Sequence, residues 1–289
     1  MTETADPTRI MTIPDSAAGR ASARWGDLRL RILSAAVLVP LALGCIWFGG
    51  LAFAALVALI AAGMAFEWIQ LCERRVPVIS AVVFATLPAA VIMTAFGYSA
   101  AALLLLAAAT VASSISSGGT SRAKPIAFGI PYLGLAAVAL VWLRQVPQSG
   151  RADVIVLLLL VWASDIGAYL LGRAIGGPKL APAISPGKTW SGAIGGLGAA
   201  IAVGLIASAT LAAGSSPLRA VCFAALTSVV SQAGDLFESQ LKRDFGVKDS
   251  GWLVPGHGGL LDRLDAVLFA APVAALLALM LGRGVVIWQ

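Results

Sequence analysis

Beyond residue 30 the chain is a succession of apolar blocks broken by short polar or Gly/Pro-containing stretches. The blocks lie at about 31–48, 51–71, 78–97, 100–115, 126–144, 153–171, 192–213, 219–238 and 261–282. Runs of this size are long enough to cross the ~30 Å hydrocarbon core of a bilayer as helices. The alternation over about ten residues that a membrane-spanning β-barrel needs is missing. The pattern therefore predicts an all-α polytopic membrane protein, a bundle of about nine transmembrane helices. The fourth block, rich in Ala and Ser, is the weakest, and losing it would invert the topology of everything after it.

Composition agrees with the pattern. The chain is 59 % hydrophobic and only 12 % charged, with a mean hydropathy of +0.92, well beyond a soluble domain. Residues 1–28 are polar and aperiodic, which predicts a disordered cytosolic tail ahead of a membrane domain at 29–289. Arg20, Arg24, Arg29 and Arg31 precede the first apolar block as in a signal peptide, but the apolar pattern continues into further spans, so a first anchor is expected. Loop charge sets the orientation, because cytosolic loops collect Lys and Arg. With the N-terminus inside, only Arg144, Arg151, Arg219 and Arg283 of the 20 basic residues fall outside. The net charge of +6 suits anionic headgroups or a nucleotide, and topology alone would also produce it. Cys45, Cys72 and Cys222 have no ligand spacing and are expected to be small core residues.

One stretch departs from this economy of charge. Ser231–Asp265 (SQAGDLFESQLKRDFGVKDSGWLVPGHGGLLDRLD) holds five Asp, one Glu, Lys242, Arg243, Lys248, Arg263 and the only His, His257. Asp235, Glu238 and Ser239 fall at i, i+3 and i+4 of one predicted helix, and Asp262 and Asp265 are three apart on the next, so each set shares a face. Two helix ends can thus aim hard oxygen ligands at one point, a donor set for Mg²⁺ rather than zinc. The basic residues and the GHGG turn (Gly256 to Gly259) between them offer cationic donors and backbone free to approach an anion. Positive-inside topology accounts for the Lys and Arg here, but not for Asp235, Asp262 and Asp265.

Two inner loops, at about 172–192 and 239–260, are long, Gly/Pro-rich and basic, and chemistry is expected where they meet. In the first, ISPGKTWSG joins a turn to a helix start, so Ser185, Lys188 and Thr189 offer hydroxyl, ammonium and helix N-terminal N–H groups to phosphate. The spacing is not that of a P-loop, and a Gly-Lys-Thr turn alone is equally a solvated loop. Asp165 stands within an apolar helix, where a carboxylate is costly unless it faces a partner or water; a structural pair with Lys or Arg is the alternative to a site role. Glu67, ending the second block, is open in the same way.

SQLKRDFGVKDSGWLVPGHGGLLDRLD, from Ser239 to Asp265, resembles the signature of the phosphatidate cytidylyltransferases, or CDP-diacylglycerol synthases. Ser239, Lys242, Arg243, Lys248, Asp249, His257, Gly258, Gly259, Asp262, Arg263 and Asp265 stand at that pattern's spacing. The resemblance extends to GDLFES, SDIGAYLLGRAIG and ISPGKTWSG, including Asp235, Asp165, Ser185, Pro186, Lys188, Thr189, Trp190 and Gly192. Ser191 departs from it, since the family usually carries Glu there, and the first ~150 residues match only as apolar spans. The resemblance implies a Mg²⁺-dependent enzyme of the inner membrane making CDP-diacylglycerol and pyrophosphate from CTP and phosphatidic acid. It also implies a homodimer, with paired metals held by Asp235 and Asp262, Ser239 beside them and a second cation such as K⁺ as a candidate for the pair. Membrane lipids, and no nucleic acid, are the expected partners.

The chemistry gives the same residues an independent reason. A phosphate monoester has a second pKa near 6 and is largely dianionic at neutral pH, so no general base is needed. What opposes reaction is the approach of two anions, and positioning with cationic screening should supply most of the catalysis. Lys188, Lys242 and Arg243 are expected to neutralise the phosphates, Arg263 to pair with Asp265 or clamp an oxygen, and His257 to donate a hydrogen bond or fix the loop. Two rivals are a CTP-dependent lipid kinase, which would want a base for its hydroxyl nucleophile, and a secondary transporter of an anionic solute. The transporter predicts charge near the midplane and pseudo-symmetric halves, whereas the charge here crowds into loops on one side.

Overall fold

A computed structural model describes residues 17–72, 76–116, 124–211 and 216–281. Among these residues the chain forms nine helices: α1 (Ala17–Phe48), α2 (Gly50–Leu71), α3 (Pro77–Ala95), α4 (Ser99–Ser116), α5 (Lys124–Arg144), α6 (Gly150–Ile175), α7 (Trp190–Leu211), α8 (Pro217–Asp244) and α9 (Leu261–Leu281). A small antiparallel hairpin, β1 (Lys179–Ala181) and β2 (Ser185–Thr189), lies between α6 and α7. Helices α2 to α9 are each long and apolar enough to span a membrane, and α1 contributes the shorter apolar segment Ile32–Phe48. Proline opens α3 and α8 at Pro77 and Pro217, where its missing N–H costs nothing.

The weak fourth block is a full helix, so the parity of the helices is kept. Three expectations need correction. Residues 17–28 are the start of α1 and not irregular, while residues 1–16 of the expected tail lie outside the described residues, as do Arg74, Arg75, Arg122 and Arg283. Helix α8 runs six residues past 238, so Ser239, Lys242 and Arg243 are helical rather than part of a loop. The stretch read as a turn before α7 contains strand β2.

Packing divides the bundle into neighbouring groups. Helices α2, α3, α4 and α5 enclose an apolar core around Trp68, Leu87, Ile130 and Leu133, and α5 passes this core on to α9. Helices α6 and α7 make the most intimate contact of the fold. A Cβ on Gly195 would stand 2.6 Å from Leu171 Cβ and 3.0 Å from the Gly167 carbonyl, closer than real Cβ atoms come. Small residues let helix backbones approach where lipid offers no hydrophobic drive for association. Leu, Ile and Phe side chains such as Phe48, Leu59 and Ile194 face outward, as lipid-facing positions should.

Nine alternating helices bring the N-termini of α1, α5, α7 and α9 to the same end as the C-termini of α2, α6 and α8. Contacts bear this out: Trp68 Nε1 near the end of α2 donates to the Pro125 carbonyl at the start of α5 (3.1 Å). At the opposite end, Arg144 closing α5 donates to the carbonyls of Ile46 and Trp47 at the end of α1 (2.6 and 3.0 Å), and Arg151 lies over the Trp47 ring at 4.2 Å.

Candidate active site

Four helix ends and the hairpin place the charged residues. Lys188 on β2 reaches Asp235 on α8, Nζ to Oδ2 at 2.5 Å. Around this pair lies a cavity of about 520 Å³ between α6, α7 and α8, lined by Asp165, Gly172, Arg173, Thr189, Gln232 and others. Asp165 thus opens onto a polar cavity, which removes the cost of a carboxylate facing lipid. Thr189 receives the Gly192 N–H on its Oγ1 (3.1 Å), capping the first turn of α7 from inside the site.

A second group sits where α8 meets α9. Lys242 Nζ lies 2.7 Å from Asp262 Oδ1 and 3.5 Å from Glu238 Oε1. Asp262 also accepts the backbone N–H of Ser250 (3.0 Å) and of Gly259 (3.2 Å) on Oδ2. Asp265 lies within electrostatic reach of Asp235, Asp165 and Lys242, and Glu238 within reach of Asp262 and Asp265. The two groups therefore form one continuous polar region. Gly234 permits this: a Cβ there would stand 2.9 Å from the Asp265 carbonyl, so α8 and α9 approach backbone to backbone beside Asp235. Ser239 Oγ stands 3.5 Å from Asp235 Oδ1.

The remaining expected residues are distributed around this core. Arg243 reaches toward the Ile184 carbonyl (3.5 Å), tying the end of α8 to the hairpin that carries Ser185. His257 contacts Ser34 of α1 through Nδ1 (3.1 Å). Gly256 and Gly258 adopt positive φ, and a Cβ on Gly259 would meet Asp262 Oδ2 at 2.8 Å, so the GHGG turn needs glycine for conformation and for space. Arg263 does not pair with Asp265; its Nε and Nη2 both donate to the His257 carbonyl (3.0 and 2.7 Å). Lys248 and Asp249 are exposed, and Asp249 lines a separate hollow with Phe66, Gln70 and Trp252. Ser191, in place of the Glu of the resemblance, donates to the Gly176 carbonyl (2.5 Å) and so braces the hairpin.

The donor set can be tested against a divalent cation. Both Glu238 oxygens are buried and loosely satisfied, Lys242 Nζ standing 3.5 Å from Oε1, and each of Asp235 and Asp262 holds a lysine ammonium where a metal ion would approach. Hard carboxylate and hydroxyl oxygens of this kind suit Mg²⁺. Among the described residues no three acidic, His or Cys side chains form a finished metal site. That is compatible with an ion held by one or two carboxylates and completed by water and substrate phosphate, the usual manner for Mg²⁺.

Sequence reading missed two features. A buried polar strip behind the cavity joins Ser164, Ser228 and Gln232, with Ser164 and Ser228 hydroxyls 2.8 Å apart; polar residues at these positions of apolar helices were the available signal. The second is the set of partners of Glu67, a residue whose role the sequence left open: it is 2 % exposed and among the described residues binds the α8–α9 loop and the first residue of α9, an acceptance of backbone donors that spacing does not reveal.

Membrane-length helices with one polar cleft, lined by paired ammonium and carboxylate groups at the ends of α6 to α9, define a polytopic membrane protein built to handle anions beside the bilayer. The chain belongs to the cytidylyltransferase family, whose model matches residues 29–281. It is 41 % identical over 246 residues to the phosphatidate cytidylyltransferase of Brucella suis biovar 1, covering 85 % of this chain and 91 % of that protein. With the phosphatidate cytidylyltransferase of Pseudomonas aeruginosa the identity is 39 % over 272 residues, or 89 % and 99 % of the two chains.

Proposed function

We propose that this membrane cytidylyltransferase joins CMP from CTP to phosphatidic acid, giving CDP-diacylglycerol and pyrophosphate in a Mg²⁺-dependent reaction at the cytosolic face of the inner membrane. The observation that supports this most directly is the pairing of Lys188 with Asp235 and of Lys242 with Asp262 in one cleft, in a chain similar over most of its length to proteins of that name. A phosphate oxygen of the lipid attacks the α-phosphorus of CTP, a new P–O–P bond forms, and pyrophosphate leaves.

The chain's own groups act by position and charge. Lys188 and Lys242 leave their carboxylates to bind phosphate oxygens, and Arg243 at the hairpin edge adds a third cation. Asp235 and Asp262, with Ser239 and Glu238 within reach, would hold Mg²⁺, which when bound screens the phosphates and orients them. Lys188 and Arg173 stand around the cavity, which is large enough to admit part of a nucleotide. The lipid phosphate is already a dianion above its second pKa of about 6, so no side chain is assigned as a base; the acidic flank of the rate profile should fall as pH drops through that value.

The rival reading, a lipid kinase using CTP, places a hydroxyl nucleophile in the cleft and needs a base there. Purified protein incubated with labelled CTP, phosphatidic acid and Mg²⁺ decides: a lipid-soluble cytidine product supports the proposal, and transfer of the γ-phosphate alone overturns it. A homodimer is carried over from the family resemblance, and cross-linking in native membranes tests it.

A further inference from the structure

We infer that Glu67, the buried carboxylate at the end of α2, is a positioning residue for the reaction: it holds the α8–α9 loop in the form that aims Asp262 into the cleft. Four donors from that loop converge on it. Its Oε1 accepts the N–H of Leu253 (3.3 Å) and of Leu260 (2.9 Å). Its Oε2 accepts the N–H of Leu261 (2.9 Å) and the hydroxyl of Ser250 (3.5 Å). The side chain is 2 % exposed, and among the described residues its hydrogen-bond partners are these four groups, none of them Lys or Arg. A carboxylate buried in this way is held by backbone N–H and hydroxyl dipoles, here including the first N–H groups of α9, whose positive helix end favours a carboxylate.

The loop is gripped from its other side by Asp262. Ser250 donates its hydroxyl to Glu67 and its N–H to Asp262, while Gly259 N–H donates to Asp262 next to the Leu260 and Leu261 N–H groups that donate to Glu67. Moving the Glu67 end of these peptides would therefore move the donors that fix the Asp262 carboxylate. Gly251 is part of the fit, because a Cβ there would stand 2.7 Å from the Glu67 carboxyl carbon. Gln cannot substitute for Glu67: both oxygens take N–H donors, and an amide would turn its own NH₂ toward one of those pairs.

The inference rests on the proposed metal role of Asp262. Full-length protein in detergent is titrated with Mn²⁺ alone, read by electron paramagnetic resonance, comparing wild type, Glu67→Gln, Asp262→Asn and Val57→Ala, a buried α2 change as a control for general destabilisation. Groups that orient metal ligands typically cost about 10- to 100-fold in affinity when changed. Glu67→Gln should weaken Mn²⁺ binding by that factor while Val57→Ala leaves it unaltered; unaltered binding by Glu67→Gln, with Asp262→Asn weakened, overturns the inference. Normal binding by Asp262→Asn instead removes the metal role of Asp262, and hydrogen exchange then decides the positioning claim. If Glu67→Gln does not fold, exchange decides it on wild type and Ser250→Ala. Amides of Leu253, Leu260 and Leu261 should be protected in wild type, and those of Leu253 and Leu261 faster in Ser250→Ala. Open-loop exchange rates in wild type sink the claim.

Discussion

At the scale of single residues, the cleft is a set of ion pairs whose members would have to separate for the proposed reaction. Asp235 and Asp262 each hold a lysine, so neutralising either carboxylate removes a cation site and releases an ammonium at once. Asp235→Asn or Asp262→Asn is expected to lower turnover at least about a hundredfold, because several kcal/mol of charge stabilisation would depend on the ion they are proposed to hold; formation of radiolabelled liponucleotide measures it. His257 is different. Its ring meets Ser34 and the Pro255 carbonyl and its own carbonyl receives Arg263, so it fixes the loop, and His257→Gln should keep activity within about tenfold. Complete inactivity of that variant with intact CTP binding would argue for proton transfer. These residues were legible because acids at helical spacing have no place in an inner loop. Their partners were not: Arg263 was expected to pair with Asp265 or to clamp a phosphate oxygen, but it donates to the carbonyl of His257 six positions earlier, and spacing carries no information about a backbone acceptor.

Elements were legible to the degree that length and hydropathy decide them. The nine blocks correspond to the nine described helices because a segment apolar enough to enter a bilayer must satisfy its backbone internally, and α2 to α9 have the length and α1 a shorter stretch of the required composition. The end of α8 was misplaced because hydropathy falls away after Glu238 while the helix continues to Asp244, carrying Ser239 and Lys242 on the face of Asp235 and Glu238. The hairpin was invisible, its strands being only three and five residues long with Pro186 and Gly187 inside the second, below what periodicity can register. The contact of α6 with α7 yields a prediction at this scale. Gly167→Leu should force the two helices apart, since a Cβ at Gly167 already meets the Gly195 carbonyl at 2.8 Å. Overpacking of this kind costs roughly 1–3 kcal/mol; a lowered thermal midpoint together with weakened CTP binding is expected, because Asp165 rides on α6 and Lys188 on the hairpin that joins α6 to α7.

For the whole molecule, the question is which way the bundle faces. All the cleft residues lie at one end, and the proposed cytosolic placement of that end rests on the distribution of Lys and Arg along the sequence. A cysteine in the α8–α9 loop tests this. Ser250 is unsuited, being buried and bonded to both Glu67 and Asp262; Lys248→Cys, on exposed backbone, should react with an impermeant maleimide in inverted vesicles and not in intact cells. Labelling in intact cells would overturn the topology. The expectation depended on counting the weak fourth block, since a lost α4 would have reversed it; among the described residues α4 is present.

The apolar segment of α1, Ile32–Phe48, is fastened near both of its ends by groups made much later: Arg144 at one and His257, on Ser34, at the other. During biosynthesis, then, this early segment cannot be fully latched until most of the described residues have followed it. Nascent chains arrested before residue 144 should leave α1 free to wander among lipids, whereas those released after residue 257 should hold it in place. Photocrosslinking from position 37, whose valine faces outward, would follow that late docking as it happens.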